Sequence, residues 1–169
     1  MIAVHLESGQ VLVRETAMPA RPPGFALMRM LVAGICNTDL ELQRGYYDFS
    51  GIPGHEFVGE VVESDDPNLI GKRVVGEINL ACGRCDFCSI GLGRHCPNRT
   101  VLGIVKHPGA LAEYLTLPEN NVHPIPDEIP SEQAAVEYED RQQIMATFGE
   151  APPEAISAFL EKRPAEFED

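Results

Sequence analysis

The chain has 169 residues and a mass of 18.5 kDa, with 44% apolar residues and a mean hydropathy of −0.11. Such a size and composition suit a soluble globular chain of one domain, or one domain with an appendage, and exclude pervasive disorder; no apolar run approaches the roughly 18–20 residues of a membrane span. Thirteen basic and 26 acidic side chains leave a net charge of −13, a field that repels phosphate backbones and excludes nucleic acid as a partner.

Up to about residue 126 the pattern is mostly β. Residues 2–6 and 10–14 alternate apolar and polar side chains and meet at Ser8-Gly9, which predicts a hairpin. Pro22-Pro23-Gly24 leads into a long apolar strand over 25–35. Asn37 or Thr38 is then placed to cap a short helix reaching about Arg44, with Asp39 and Glu41 in its first turn as the helix dipole favours. Strands are expected over 57–62, 73–78, 101–105, 110–117 and 122–125, with glycine and proline at nearly every junction. Short strands at this spacing indicate a mainly β (α+β) domain built as a partly open β-barrel. From Ser131 the period turns helical through Ala134, Tyr138, Ile144, Met145 and Phe148; Gly149 to Pro153 breaks it, and a second helix is expected over 152–163. Charge shifts in step. Residues 1–136 carry −7 and residues 137–169 carry −6, which puts a domain boundary near Val136.

Cysteine usage is the strongest chemical signal. Cys82, Cys85, Cys88 and Cys96 fall at spacings of three, three and eight, which can wrap the closed tetrahedral thiolate site that structural zinc prefers. Gly83 is suited to a positive-φ turn inside the first Cys-x-x-Cys. Two disulfides or a redox pair are the other readings. Four close cysteines without an export signal point to a reducing compartment, hence a cytoplasmic chain. Upstream, Cys36 and, nineteen residues later, His55 could ligate a second zinc with an open, catalytic position; a lone cysteine is equally a small buried hydrophobe.

The order of these elements is informative. Gly-Ile-Cys36-Asn-Thr38-Asp39, then Gly54-His55-Glu56-Phe-Val-Gly59, then Gly71-Lys-Arg-Val-Val, then the four-cysteine lobe, resembles the zinc-dependent alcohol dehydrogenases of the medium-chain dehydrogenase/reductase superfamily. The resemblance spans residues 1–136 and implies a GroES-like catalytic domain. Cys36 and His55 are implied as catalytic zinc ligands, Glu56 as the carboxylate beside the metal, Thr38 as the hydroxyl that passes the substrate proton, and Asp39 as the group orienting the site. The four clustered cysteines match the structural zinc. No Gly-x-Gly-x-x-Gly follows a strand, so no Rossmann domain is expected, and NAD(P) would be held by such a domain supplied in trans. Only 33 residues follow Val136; among them, Glu139 falls at the offset of a third zinc ligand in some branches of the family.

Glu137-Tyr-Glu-Asp-Arg and Glu154-Ala-Ile-Ser-Ala-Phe-Leu-Glu-Lys-Arg resemble the C-terminal helices of crotonase-type enoyl-CoA hydratases, without any of their catalytic core. Two functions follow. One is the zinc-binding portion of an alcohol dehydrogenase-like oxidoreductase, inactive alone for want of its cofactor domain. The other is a non-catalytic zinc module or dead-end fusion that associates through its terminal helices. In either case the apolar surface beside the cleft implies a homo-oligomer, as a dimer, or a separate covering chain.

Overall fold

The computed structural model describes residues 1–135, and the helix pair, Tyr138, Glu139 and the apolar residues expected to follow them lie outside it. Among the described residues the fold is mostly β and its strands form three sheets, with no closed barrel. Strand β1 (Ile2–Glu7) pairs antiparallel with β2 (Gln10–Glu15). The turn between them has positive φ at both Ser8 (49°) and Gly9 (76°), the twist-matched geometry of a two-residue hairpin.

The central sheet has the order β10-β5-β4-β3-β9, all antiparallel. It is built from β3 (Phe25–Ala33), β4 (Phe57–Glu63), β5 (Arg73–Gly76), β9 (Tyr114–Pro118) and β10 (Val122–Pro124). Its inner face supplies most of the core: Met28, Val61, Val74, Leu115 and Leu117 cluster with Phe57, joined by Leu102 from outside this sheet, and all are almost fully shielded from solvent. Apolar burial of this kind contributes about 25 cal/mol per Å², so the core fixes where the ends of β3 and β4 emerge. Both chemical segments leave from those ends. The helix α1 (Asn37–Gln43) follows β3, and His55 lies two residues before the start of β4.

Three elements differ from the sequence expectation. The expected strand 101–105 stops at Leu102, where Gly103 turns the chain, leaving β7 (Thr100–Leu102) between β6 (Asn79–Leu80) and a parallel β8 (Lys106–His107). The expected strand 110–117 starts only at Tyr114. Residues 109–111 instead bond to the segment before His55, with Gly109 N donating to Ile52 O (2.8 Å), Leu111 N to Pro53 O (3.0 Å) and Ala110 N to Gly54 O (2.8 Å). Gly54 sits at φ +99°, and a Cβ there would come within 2.9 Å of the Leu111 amide nitrogen, so only glycine allows this close seam. Third, the cap of α1 is Cys36, not Asn37 or Thr38. At the far end, Arg73 donates to the carbonyls of Pro126, Asp127 and Ile129 and to Ser131 Oγ, pinning the segment that leads into the helical turn at 131–135. No helix among the described residues is long and apolar enough to cross a membrane.

Candidate functional site

Two clusters of metal-ligating side chains form among the described residues. In the first, the sulfurs of Cys82, Cys85, Cys88 and Cys96 lie within 4.8 Å of one another. Cys85 Sγ is 3.4 Å from Cys88 Sγ and 3.7 Å from Cys96 Sγ, and Cys82 Sγ is 4.0 Å from Cys88 Sγ. A tetrahedral zinc with Zn–S bonds of 2.3 Å requires sulfurs about 3.8 Å apart, so the four donors fit it as they stand. All five cysteines are free, which removes the disulfide reading. The local backbone explains the convergence. Gly83 takes φ +71° inside the first Cys-x-x-Cys, and Cys85 opens the short helix α2 (Asp86–Ser89), which carries Cys88 back towards it.

Electrostatics within the lobe are uneven. Hydrogen bonding from the Arg84 amide, reinforced by Cys96, draws the Cys82 thiol down to about 6. At Cys85 the Cys88 amide acts in the same sense, but burial and the neighbouring sulfurs outweigh it and push the thiol up to about 11. Thiols stacked this closely compete for charge, and a bound divalent cation is the ordinary way to let all four ionise.

The second cluster is Cys36, Asp39 and His55, whose donor atoms also lie within 4.8 Å of one another. Cys36 Sγ is 3.1 Å from His55 Nε2. Cys36 and Asp39 form a reciprocal cap at the start of α1: Cys36 Sγ accepts from Thr38 N (3.2 Å), and Asp39 Oδ2 accepts from Cys36 N (3.0 Å). The other Asp39 oxygen accepts from Gly54 N (3.0 Å), tying the helix to the residue before His55. Asp39 is 6% exposed and His55 4%, while Cys36 is half-buried, and the polar atoms of the arrangement are committed. One is not: His55 Nδ1 is buried without a hydrogen-bond partner, and Asp39 Oδ1 stands 3.9 Å from it. A small inward shift of the ring would make the carboxylate–imidazole contact that orients metal-bound histidines. Burial pushes the Cys36 thiol above its ordinary range, against hydrogen bonding from Thr38 that pulls it down.

Thr38 therefore touches Cys36 through its amide. Glu56 is half-buried and lies against Gly34, where any added Cβ would collide with its carboxylate; it is not one of the three clustered donors. Glu139 lies outside the described residues. Sequence reasoning missed that Cys36 caps its own helix, although the Cys36-x-x-Asp39 spacing is that of a capping box. It also missed the cavity lined by residues 47–52 and 104–108, for which the sequence carries no signal.

A mainly antiparallel β-domain carrying a four-thiolate cluster and a Cys–His–Asp cluster is a domain with two candidate metal sites among its described residues. Residues 22–127 match the family model for the alcohol dehydrogenase GroES-like domain, and the chain belongs to that family. It is 41% identical over 128 residues to an L-threonine 3-dehydrogenase of Chelativorans sp. strain BNC1, covering 70% of this chain and 37% of that protein. Among solved structures, alcohol dehydrogenase TADH from Thermus sp. ATN1 is similar at 34% identity and a TM-score of 0.70, covering 78% of this chain and 42% of that one. A putative zinc-binding dehydrogenase from Sinorhizobium meliloti 1021, bound to NADP, is similar at 34% identity and a TM-score of 0.67, covering 77% and 40%. The chain thus spans about two fifths of the length of these relatives.

Proposed function

We propose that this chain is the zinc-carrying catalytic portion of an alcohol dehydrogenase-like oxidoreductase, in which hydride passes between an alcohol or its carbonyl and a nicotinamide cofactor. One observation carries the reading: Cys36 Sγ and His55 Nε2 meet 3.1 Å apart, with the buried Asp39 carboxylate beside them. Zinc bound by these two donors supplies Lewis-acid polarisation of the substrate oxygen. Asp39 is committed to two backbone amides, so it orients rather than ligates, and a third donor comes from Glu56 or from beyond residue 135.

The chain's own residues handle position and protons. Thr38, held against Cys36 at the first turn of α1, offers a hydroxyl to take up and release the alcohol proton. Asp39 fixes both ligand-bearing segments at once, because its carboxylate bridges the amides of Cys36 and Gly54. Burial of His55 and Asp39 keeps water from the cleft floor, which strengthens each polar contact there. The four-cysteine lobe holds a second, structural zinc. The nicotinamide site is assigned to a Rossmann domain outside residues 1–135, in keeping with the NADP bound by the similar S. meliloti protein.

Cobalt substitution tests the reading, since thiolate-to-cobalt absorption reports each cysteine ligand. Saturated chain should bind two metals. Cys36→Ser should bind one, with loss of only the absorption assigned to the Cys36–His55 centre. Equal stoichiometry and spectra for the two chains would overturn the assignment.

A further inference from the structure

Strand β2 is the outer strand of its two-stranded sheet, and its far edge is open among the described residues. Val4 N donates to Leu111 O (2.8 Å), Leu6 exchanges bonds with Gly51, and Ile2 O accepts from Glu113 N (3.0 Å), so these three residues turn their backbone groups away from β2. Opposite residues of an antiparallel ladder behave alike, and their partners Val13, Val11 and Glu15 therefore turn theirs away from β1. Among the described residues nothing bonds to the amides or carbonyls of those three.

Such an edge is normally blunted by a bulge, a proline or a central lysine. Strand β2 has none of these: its register with β1 is unbroken and its middle is Val11-Leu12-Val13. Val11 is 53% exposed and Val13 70%. Side chains alternate along a strand, so both stand on one face of the hairpin with Ile2 and Val4 of β1, and Ile2 is exposed as well. An apolar, β-branched face thus ends at an open edge.

We propose that a second copy of this chain covers it: β2 pairs antiparallel with β2 of the other copy across a two-fold axis at Leu12, giving a four-stranded sheet with β1 at both outer positions. Outward-facing residues can pair only with one another, which leaves few registers. With the axis at Leu12, each Val11 lies opposite Val13 of the other copy, so four valines meet on one face. Each Arg14, already bonded to Glu7, then lies opposite a Gln10 whose amide oxygen can accept from it. An axis at Arg14 would oppose two guanidinium groups, and one at Val13 would set Val11 against the Glu15 carboxylate. An axis at Val11 would leave Val13 against Gly9 of the turn. Complementarity of charge and shape within β2 itself thus favours a second copy as partner and selects one register. The contact is small for a stable interface and two chains of net charge −13 repel, so the dimer is reversible and strengthens as salt screens that repulsion.

Sedimentation equilibrium of the full, zinc-loaded chain tests this. Dimers should accumulate with protein concentration, and more so when salt rises from about 0.01 M to about 0.1 M. Val11→Lys and Val13→Lys alter exposed side chains, so Tm should hold while each weakens association by at least roughly tenfold, the two-fold axis placing every new charge in the contact twice. Leu12→Cys sets two thiols at the axis, where the Cα atoms of a non-hydrogen-bonded pair stand about 4.5 Å apart, within disulfide reach. With oxidised glutathione it should cross-link the two copies faster than Val13→Cys does, and mass spectrometry of the linked peptides identifies the bond. A parent chain that stays monomeric throughout, association that weakens with salt, a smaller effect from either lysine, or cross-linking no faster at Leu12 than at Val13 would overturn the proposal.

Discussion

Asp39→Ala tests the keystone of the buried site. Asp39 accepts from Cys36 N through one oxygen and from Gly54 N through the other, each at 3.0 Å, at 6% exposure. Alanine leaves both amides without an acceptor. Hydrogen bonds to a charged group contribute about 1.5–3 kcal/mol each, and relief from burying the carboxylate argues for the lower end, giving a loss of about 3 kcal/mol. For a domain of this size each kcal/mol moves Tm by roughly 2–4 °C, so a fall of roughly 6–12 °C is expected. Asparagine keeps one acceptor oxygen but turns an NH2 group towards the second amide, so Asp39→Asn should recover no more than half of the loss. Because Asp39 holds the backbone of both Cys36 and Gly54 and faces His55 Nδ1 across 3.9 Å, metal affinity at Cys36–His55 should fall about 10–100-fold while the four-cysteine lobe keeps its metal. Calorimetric melting and zinc competition against a chelator measure the two effects. A Tm within 1–2 °C of the parent, about the shift expected for less than 1 kcal/mol, would refute the reasoning.

Other perturbations separate the remaining parts of the structure. After mild chelation about one zinc per chain should remain, held by the four thiolates, and Cys88→Ser should lose it with local unfolding of the lobe; elemental analysis and hydrogen exchange check this. Gly103→Ala has no room, because its Cβ would collide with the Gly54 backbone at φ +65°; a Tm fall of at least roughly 6 °C and a displaced His55 resonance are expected in melting and NMR. The Gly24 amide and Arg21 together hold the Asp65 carboxyl below its ordinary value of 3.8. With a depressed folded-state pKa, its contribution is present above pH 3.8 and is lost as pH falls through the lower folded value, so Asp65→Asn should flatten the stability profile below about pH 4; unfolding at stepped pH measures it.

Much of this protein could be read from its residues alone, for local reasons. The hairpin follows from alternation around Ser8-Gly9, and the metal lobe from four cysteines close enough in sequence that a turn and one short helix must bring them together. The ordered run of Cys36, His55 and the lobe carried the family, which the match over residues 22–127 bears out. Tertiary structure decided what depends on distant segments sharing space. Residues 110–113 have strand-like composition, but their first amides are taken by Pro53 and Gly54, so β9 starts late. The capping role of Cys36 depends on Asp39 being held by an amide fifteen residues away. The cavity between residues 47–52 and 104–108 could not be read at all. Its marker is left-handed backbone at Tyr47, Asp48 and Lys106, a conformation those side chains disfavour locally, enforced by packing between segments more than fifty residues apart.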